Sequence, residues 1–448
     1  MEYLPNILFA VTLIIGIGFF VRNAKKLTRN IKLGKEVAVS DNKPQRWKNM
    51  AKIALGQTKM VVRPISGFLH ILVYVGFIII NLEVLEIIID GLLGTHRVFA
   101  PLGSVYNMLI ASFEILAFLV IVAVIIFWIR RNVIKLQRFI KPEMKGWPKN
   151  DANLILYIEL VLMSLFLTMN AADFQLQQLG AAHYTQAGSF PISQYLIPLF
   201  EGMSTQSLIL IERSAWWLHI VGILFFLNYL YYSKHLHILL AFPNTYFGKL
   251  DAKGKLRNLD SVTQEVMLMM DPDADSYATP AEELSGNEAA ASEPEKFGAS
   301  DVTDLNWVQL LNAYTCTECG RCTSECPANL TGKKLSPRKI MMDTRDRLEE
   351  VGANLDANKG NFVDDGKQLL DDYITREELW ACTSCNACTE ACPVSIDPLS
   401  IIMDMRQYLV MEQSAAPLDL NNMMGNIENN GAPWPFNQMD RLNWKDET

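Results

Sequence analysis

Cysteine is absent from the first 315 residues of this 448-residue chain, and charged residues make up only 20% of the whole. With 50% apolar residues, the chain cannot be disordered over most of its length. No basic stripe with interleaved aromatic residues occurs outside the loops that flank apolar segments, which argues against nucleic-acid binding. All eight cysteines fall in two short runs after residue 315, and this clustering favours metal binding over a scattered disulfide framework.

Five apolar stretches are each long enough to cross a lipid bilayer, for which about 20 residues of helix are needed. They lie at about 3–21, 65–90, 104–129, 153–171 and 214–240. The first is not expected to be a cleavable signal peptide, because no basic residue precedes it and Arg22 follows it. The sequence therefore predicts a mostly α-helical protein with a five-helix transmembrane bundle in residues 1–245.

The basic residues predict the orientation of this bundle. Residues 22–63 contain 12 Lys and Arg and residues 130–150 contain seven, whereas 91–103 and 172–213 contain one each. The positive-inside rule then puts the N-terminus outside, and the basic loops and the C-terminal half in the cytoplasm of a bacterial inner membrane. The segment from Phe190 to Ile211 is expected to be an outer hairpin or interfacial helix, because a sixth crossing would put the cysteines in an oxidising compartment.

The chain after the bundle divides by composition into three parts. Residues 246–304 form a linker that is acidic from about residue 271. Residues 305–412 are globular again, with helices predicted at 336–350 and 399–412 and no useful period-two alternation. The tail at 413–448 has aromatic residues in a polar, proline-containing context, so it either docks a partner or is free and disordered.

The two cysteine runs share one spacing. The first is Cys316-x2-Cys319-x2-Cys322-x3-Cys326 and the second is Cys382-x2-Cys385-x2-Cys388-x3-Cys392, each followed by proline. This spacing indicates two [4Fe–4S] clusters, and in two-cluster ferredoxins the fourth cysteine of a run binds the other cluster. Structural zinc is the weaker alternative, because it leaves the third and fourth cysteines of each run unexplained. We therefore predict one cluster on Cys316, Cys319, Cys322 and Cys392, and the other on Cys382, Cys385, Cys388 and Cys326.

The gap between the runs is also informative, because 55 residues separate Cys326 from Cys382. A small β-type ferredoxin has a much shorter gap. Residues 305–412 instead resemble the α-helical ferredoxin domain of heterodisulfide reductase small iron–sulfur subunits, anaerobic glycerol-3-phosphate dehydrogenase and succinate dehydrogenase. The motif is specific for this domain but not for a substrate.

Four of the six histidines lie in or beside the apolar spans. Burying an imidazole in lipid is costly, so each of them is a candidate for a function. His70 lies near the cytoplasmic end of the second span, and His235 and His237 close the fifth span at the same face. We predict a haem b held by His70 and His237, with His235 as the fallback ligand. His219 opens the fifth span five helical turns from His237 on the same side.

The fifth span resembles the cytochrome b family of the nitrate reductase gamma subunit and the heterodisulfide reductase membrane subunit, in which two antiparallel helices hold two haems. The resemblance implies a second, outer haem on His219. However, Phe77 and Ile80 occupy the region of the second span where its partner histidine would lie. One haem is therefore the expectation and two the alternative, while His96 and His183 are expected to be surface residues of outer loops.

Carboxylates inside the predicted spans include Glu83 and Glu86 in the second and Glu114 in the third. Each is costly there unless it is paired, hydrated or protonated. One hypothesis is that Glu83 or Glu86 accepts protons from a quinol. The alternative is that these carboxylates lie at the outer lipid boundary or pair with polar groups such as Asn107.

As a whole, the chain resembles a fusion of the membrane subunit and the small iron–sulfur subunit of heterodisulfide-reductase-like complexes. The resemblance implies electron transfer between menaquinone, haem b, two [4Fe–4S] clusters and a soluble partner, either a Cys-Cys-Gly-domain subunit or electron-transfer flavoprotein. Because the sequence has no adjacent cysteine pair and no GxGxxG after a strand, the substrate chemistry is expected on another chain. The alternatives are a redox-sensing membrane protein without steady turnover and a module of an ion-pumping complex.

Overall fold

The computed structural model describes residues 3–252, 254–270 and 296–446. Within these residues the fold is helical and contains no strand, so the predicted fold class is confirmed. The N-terminal half contains α1 (Leu4–Ile31), α2 (Lys43–Met50), α3 (Pro64–Leu93), α4 (Ser104–Asn132), α5 (Trp147–Gln178), α6 (Thr205–Tyr229) and α7 (His237–Tyr246). Then follow α8 (Asp260–Met270), α9 (Trp307–Thr315), α10 (Arg321–Glu325), α11 (Pro327–Leu330), α12 (Pro337–Ala357), α13 (Leu369–Asp372), α14 (Arg376–Trp380), α15 (Ala387–Ala391), α16 (Pro398–Met411) and α17 (Leu418–Asn430).

Five of the described helices, α1 and α3 to α6, are long and apolar enough to cross a membrane. Leucine, isoleucine and phenylalanine side chains on their outer surfaces are exposed, as a lipid-facing surface requires. The helices run past the predicted apolar spans because polar residues in their end turns find partners inside the bundle. Asp173 and Gln177, beyond the predicted end of the span in α5, are both buried and hydrogen-bonded to each other.

The fifth apolar stretch is not one continuous helix, although the sequence predicts a span over 214–240. Helix α6 ends at Tyr229, and two short 3-10 turns precede α7. The Asp151 carboxylate of α5 accepts a hydrogen bond from the Tyr229 hydroxyl at 2.5 Å and another from the Lys234 backbone N–H at 3.1 Å. These bonds replace helical ones, so the chain turns at the membrane boundary.

The segment between α5 and α6 lies over the end of the bundle opposite the cysteine runs, which is called the outer end after the predicted orientation. Its central part is a 3-10 helix, Ser193–Phe200, and α6 begins at Thr205. Glu114 of α4 anchors this segment by accepting hydrogen bonds from the backbone N–H groups of Ile192 (2.9 Å) and Ser193 (3.1 Å). The charge of Glu114 inside an apolar helix is thus matched by backbone donors that would otherwise be unpaired.

The C-terminal half packs around α9, α12 and α16, whose inward residues include Leu310, Ile340 and Met405. Local signals fix the helix starts: Pro337 and Pro398 lie in the first turns, and Ser336 caps α12. The predicted helices at 336–350 and 399–412 correspond to α12 and α16. Residues 296–304, which their composition assigned to the linker, are also ordered, and Val302 is buried in this core. The remainder of the predicted acidic linker lies outside the described residues.

The two halves contact each other through the basic loops. The Lys35 N–H donates to the Leu305 carbonyl at 2.8 Å, and the Trp307 indole donates to the Val37 carbonyl at 3.1 Å. From the other basic loop, the Arg138 carbonyl and the Glu143 carboxylate accept hydrogen bonds from the fully buried Arg338 at 2.6 and 2.7 Å. Both basic loops therefore lie on the same side of the bundle as the cysteine runs.

Candidate metal centres

The two cysteine runs fold into loops with the same backbone pattern. In each, the residues on both sides of the second cysteine have positive φ: Glu318 (53°) and Gly320 (70°) in the first, Ser384 (56°) and Asn386 (60°) in the second. Short helices, α10 and α15, then carry the third cysteine of each run and pack against each other. Left-handed residues flanking the second cysteine curl the chain, so the loops can wrap around a compact group.

All eight cysteines are free thiols, and Cys316, Cys326, Cys388 and Cys392 are buried. Among the described residues, no three His, Cys, Asp or Glu side chains converge on a point that would hold a single metal ion. A four-iron cluster instead takes one thiolate on each of its irons. Eight free thiols on two equivalent loops fit that requirement in number and type.

The fourth cysteine of each run lies near the thiols of the other run. Burial, followed by the charge of Cys319, raises the pKa of Cys392 to about 11. Burial likewise raises the pKa of Cys382, and Cys326 of the other run is among the groups that add to this increase. The fourth cysteine of each run therefore interacts electrostatically with a cysteine of the other run, as in a two-cluster ferredoxin.

Two arginines lie beside the first run, Arg321 of the run itself and Arg138 of the loop after α4. Arg321 donates to the Lys59 and Met60 carbonyls at 3.0 and 3.1 Å, which ties the loop to the segment before α3. Burial lowers the pKa of Arg321, and the nearby Cys319 and Cys392 oppose this shift. Burial also lowers the pKa of Arg138 to about 10, with Cys319 as the main opposing charge. Positive charge is thus concentrated where thiolate ligands of a cluster would be negative.

A buried ion-pair network joins the first cysteine loop to the turn after α6. The Glu318 carboxylate, between Cys316 and Cys319, pairs with the Lys234 ammonium and lies 2.9 Å from the Arg345 guanidinium. The Lys234 ammonium also donates to the Pro148 carbonyl at 2.6 Å. Because Lys234 immediately precedes His235, this network fixes the histidine-containing turn relative to the cysteine loop.

His70 and His237 lie together at the inner end of the bundle, with ring centroids 6.4 Å apart and planes inclined by 42°. The His237 Nδ1–H donates to the Lys234 carbonyl at 3.1 Å, which leaves Nε2 free to bind a metal. The buried Nδ1 of His70 has no hydrogen-bond partner among the described residues. This unpaired buried nitrogen and the facing imidazoles fit a bis-histidine haem.

The other candidate ligands have different surroundings. The His235 ring lies 5.4 Å from the His237 ring and is partly buried against Phe226. The His219 Nδ1–H donates to the Leu162 carbonyl at 3.0 Å, and its ring packs against Phe166 rather than against another imidazole. His219 is therefore oriented like a ligand but has no facing histidine, whereas His235 is an alternative to His237.

A cavity of about 490 Å³ opens at the outer end of the bundle, between α1, α3, α5 and α6. Apolar side chains such as Phe9 and Trp216 line one part of it, and Glu83 and Glu86 line another. One carboxylate oxygen of Glu83, Oε2, is buried without a hydrogen-bond partner among the described residues. The cavity thus combines aromatic walls with an unpaired carboxylate.

Glu86 belongs to a connected polar network at this cavity. Its carboxylate accepts hydrogen bonds from the Phe99 N–H (3.0 Å) and the Tyr106 hydroxyl (2.9 Å). The buried Arg97 donates to the Tyr106 oxygen at 3.0 Å and to Asp173 Oδ2 at 2.6 Å. The network therefore runs from the cavity wall through an arginine to a second carboxylate.

The expectation that His96 is a surface residue is wrong. Its Nδ1 accepts a hydrogen bond from the Thr185 N–H at 3.2 Å, and its Nε2–H donates to Asp173 at 3.0 Å, so the side chain is only 7% exposed. His183 is exposed, as expected. The sequence does carry a signal for this network: Asn170, Asp173 and Gln177 recur at helical spacing inside an apolar helix, where such a polar stripe faces the bundle interior.

Comparison with known proteins supports the iron–sulfur assignment. The 4Fe-4S dicluster domain family matches residues 315–396, which confirms the predicted iron–sulfur domain. The chain is similar to the probable iron-sulfur-binding oxidoreductase FadF of Bacillus subtilis, with 30% identity over 98% of this chain and 61% of that protein. It is also similar to the EtfAB:quinone oxidoreductase of Syntrophomonas wolfei, with 25% identity over 92% of this chain and 55% of that protein.

A shorter similarity links the chain to heterodisulfide reductase subunits. One subunit of the ferredoxin/F(420)H(2)-dependent CoB-CoM heterodisulfide reductase of Methanosarcina acetivorans is 32% identical over 24% of this chain and 52% of that subunit. This confirms the predicted resemblance to heterodisulfide reductase subunits. No solved structure matches the chain significantly. The chain spans only 61% of the length of the Bacillus relative and 55% of the length of the Syntrophomonas relative.

Proposed function

We propose that this chain is a membrane-bound electron-transfer protein of a quinone-linked oxidoreductase, which connects menaquinone with a soluble redox partner. The observation that carries the proposal is the order of three sites along one molecule. An outer cavity with an unpaired Glu83 comes first, the facing His70 and His237 come next at the inner end, and the two cysteine loops follow. The similarity to an EtfAB:quinone oxidoreductase supports the same assignment.

The cysteines would hold two [4Fe–4S] clusters in a crossed arrangement. The nearness of Cys392 to Cys319, and of Cys326 to Cys382, supports this pairing. The first cluster would bind Cys316, Cys319, Cys322 and Cys392, and the second would bind Cys382, Cys385, Cys388 and Cys326. Arg138 and Arg321 would offset the negative charge of the first cluster, which favours its reduced state.

His70 and His237 would be the axial ligands of one haem b. The Lys234 carbonyl fixes the His237 tautomer, and the Lys234–Glu318 ion pair holds the turn close to the first cysteine loop. Bound at these residues, the haem and the clusters would supply one-electron carriers between the membrane and its inner face. A second haem on His219 would need an axial ligand other than histidine, so one haem is the proposal.

The outer cavity would bind the menaquinone head group. Phe9, Trp216 and Trp217 offer aromatic surface for its ring, as small-molecule sites usually do. Quinol oxidation releases protons, and the Glu83 oxygen without a hydrogen-bond partner would be an acceptor for them. Arg97 keeps Asp173 and Tyr106 in fixed positions, so the polar wall is preorganised.

The soluble partner would be either a Cys-Cys-Gly-domain subunit of the heterodisulfide reductase type or an electron-transfer flavoprotein. The cysteine loops lie on the side of the basic loops, which the positive-inside rule assigns to the cytoplasm. The membrane would be the bacterial inner membrane, with the N-terminus outside. A soluble partner in the cytoplasm would reach the cluster domain from that side.

The test is a redox-titrated visible spectrum of the purified full chain, with iron, sulfide and haem quantified. We expect about eight non-haem irons and one b-type haem per chain, and reduction of that haem by a menaquinol analogue. Eight irons without haem would remove the cytochrome assignment. A haem that a quinol cannot reduce, despite intact clusters, would remove the quinone assignment and leave a quinone-independent carrier.

A further inference from the structure

A second cavity, of about 470 Å³, lies at the opposite end of the bundle from the first. It is formed where α3 begins, where α4 ends and where the loop after α4 approaches α10. Three arginines line it together with three neutral polar residues: Arg63, Arg130, Arg138, Ser66, Gln137 and Ser324. None of these residues belongs to the candidate cluster ligands, haem ligands or outer cavity.

The charge balance of this cavity is positive. Arg63 donates to the Ser324 hydroxyl at 2.6 Å and to the Glu325 carboxylate at 2.9 Å, so one of the three charges is offset. Among the described residues, Arg130 has no carboxylate within ion-pair distance, and the buried Nε of Arg138 has no hydrogen-bond partner. The Arg130 guanidinium therefore remains for an anion, and the Arg138 Nε adds an unpaired donor.

The N-terminus of α3 adds to the positive electrostatic potential of this cavity. This 30-residue helix begins at Pro64, and no side chain caps its first turn. The positive end of the helix dipole and the unpaired backbone N–H groups of the first turn lie at the cavity wall. Guanidinium groups that converge on a helix N-terminus are the usual protein environment of a phosphate group.

The residues around this cavity favour a lipid over a free anion as its ligand. Val62 and Ile65, which also line the cavity, are 77% and 62% exposed, and Val133 and Ile134 on the adjoining loop are 63% and 59% exposed. These apolar side chains continue the lipid-facing surface of α3 and α4. A ligand that satisfies both parts has a phosphate head and an apolar tail.

We propose that this cavity binds the phosphate group of an anionic phospholipid from the inner leaflet. Basic pockets between membrane helices at the cytoplasmic side are a recognised lipid-binding environment. The bound lipid would bridge the start of α3, the end of α4 and the first cysteine loop, because Ser324 lies in that loop. It would therefore strengthen the contact between the membrane bundle and the iron–sulfur domain.

The test uses the purified full chain in phosphatidylcholine nanodiscs, into which phosphatidylglycerol is titrated. Native mass spectrometry counts retained phosphatidylglycerol, and the wild type should keep one molecule. Arg130→Gln should weaken retention about fivefold. Arg22→Gln is the matched control, because Arg22 is an exposed arginine at the same membrane face and lies outside the cavity. Iron content equal to that of the wild type confirms that the variants are folded.

Two other outcomes would overturn the proposal. If Arg22→Gln weakens retention as much as Arg130→Gln does, the lipid is attracted by the surface charge in general and not by this cavity. If inorganic phosphate at millimolar concentration displaces phosphatidylglycerol from the wild type completely, the cavity recognises free phosphate and the apolar rim contributes nothing.

Discussion

The imidazole rings of His70 and His237 face each other across the inner end of the bundle, 6.4 Å apart between centroids. They belong to α3 and to the first turn of α7, two helices that are far apart in the sequence. The break after Tyr229 lets the chain bring His237 back beside His70, and it fixes the His237 ring through the Lys234 carbonyl. The pairing therefore depends on the turn as much as on the helices.

Substitution of either facing histidine should remove the haem. We expect His70→Ala and His237→Ala to lose the b-type visible spectrum, because each removes one axial ligand. Iron and sulfide contents should remain as in the wild type. His219→Ala is the control, since its ring contacts Phe166 and not another imidazole, and it should retain the haem. A spectrum lost in His235→Ala but kept in His237→Ala would move the ligand to the neighbouring histidine.

Paired cysteine substitutions should distinguish the crossed cluster arrangement from one cluster per run. In the crossed arrangement, Cys316→Ala with Cys392→Ala damages one cluster and leaves the other intact, with about four irons per chain. Cys316→Ala with Cys326→Ala removes one ligand from each cluster, so no complete [4Fe–4S] cluster remains. Electron paramagnetic resonance of the reduced proteins measures this. The opposite pattern in the two double variants would show that each run holds its own cluster.

The iron–sulfur domain should depend on one fully buried arginine. Arg347 donates to Asp301 at 2.8 Å, to Asp365 at 2.5 Å and to the Lys367 carbonyl at 2.7 Å. Arg347→Met leaves these acceptors unpaired, and we expect a loss of about 3 kcal/mol in the free energy of unfolding. That corresponds to an unfolding temperature about 10 °C lower in calorimetry. The control is Arg376→Met, whose exposed pair with Asp371 should contribute less than about 1 kcal/mol.

Membrane orientation can be measured with introduced cysteines, because the native ones lie only in the two runs. Ser189 is exposed in the segment between α5 and α6, and Lys48 is exposed on α2. We expect an impermeant maleimide to label Ser189→Cys in whole cells and Lys48→Cys only after permeabilisation, because basic loops remain in the cytoplasm. If only Lys48→Cys is labelled in whole cells, the topology is the reverse of the predicted one.

The sequence was sufficient where the signals are local. The repeated spacing of the cysteines and the length of the apolar stretches each depend on a few neighbouring residues. The corresponding cysteine loops and helices are present in the structure. The pairing of His70 with His237 follows from the predicted directions of the second and fifth spans, which place both histidines at the same face of the membrane.

Features decided by contacts between distant segments were not predicted. Whether α6 continues past Tyr229 depends on the Asp151 carboxylate of α5, which binds the turn. Likewise, His96 looks like a loop residue until Asp173 and Thr185 are brought beside it. Hydrophobic periodicity carries no information about such partners, so the outer polar network could be recognised only in three dimensions.

The outer cavity gives the sharpest test of the proposed quinone chemistry. Glu83→Gln keeps the size of the side chain but removes the group that would accept a proton, and Oε2 of Glu83 is the buried oxygen without a partner among the described residues. We expect the rate of haem reduction by a menaquinol analogue to fall about 100-fold, with unchanged haem and iron contents. Reduction of the same haem by dithionite should be unaffected, because that electron does not require the cavity.

The matched control for this test is Glu201→Gln, an exposed glutamate of the same outer segment that does not line the cavity. The menaquinol analogue should reduce the haem of this variant at the wild-type rate. Glu86→Gln should have a smaller effect than Glu83→Gln, because the Phe99 N–H and the Tyr106 hydroxyl already occupy the Glu86 oxygens and hold that side chain in place. If both glutamine variants at the cavity react with quinol as the wild type does, neither carboxylate takes part in proton transfer. The quinone would then have to bind elsewhere in the bundle.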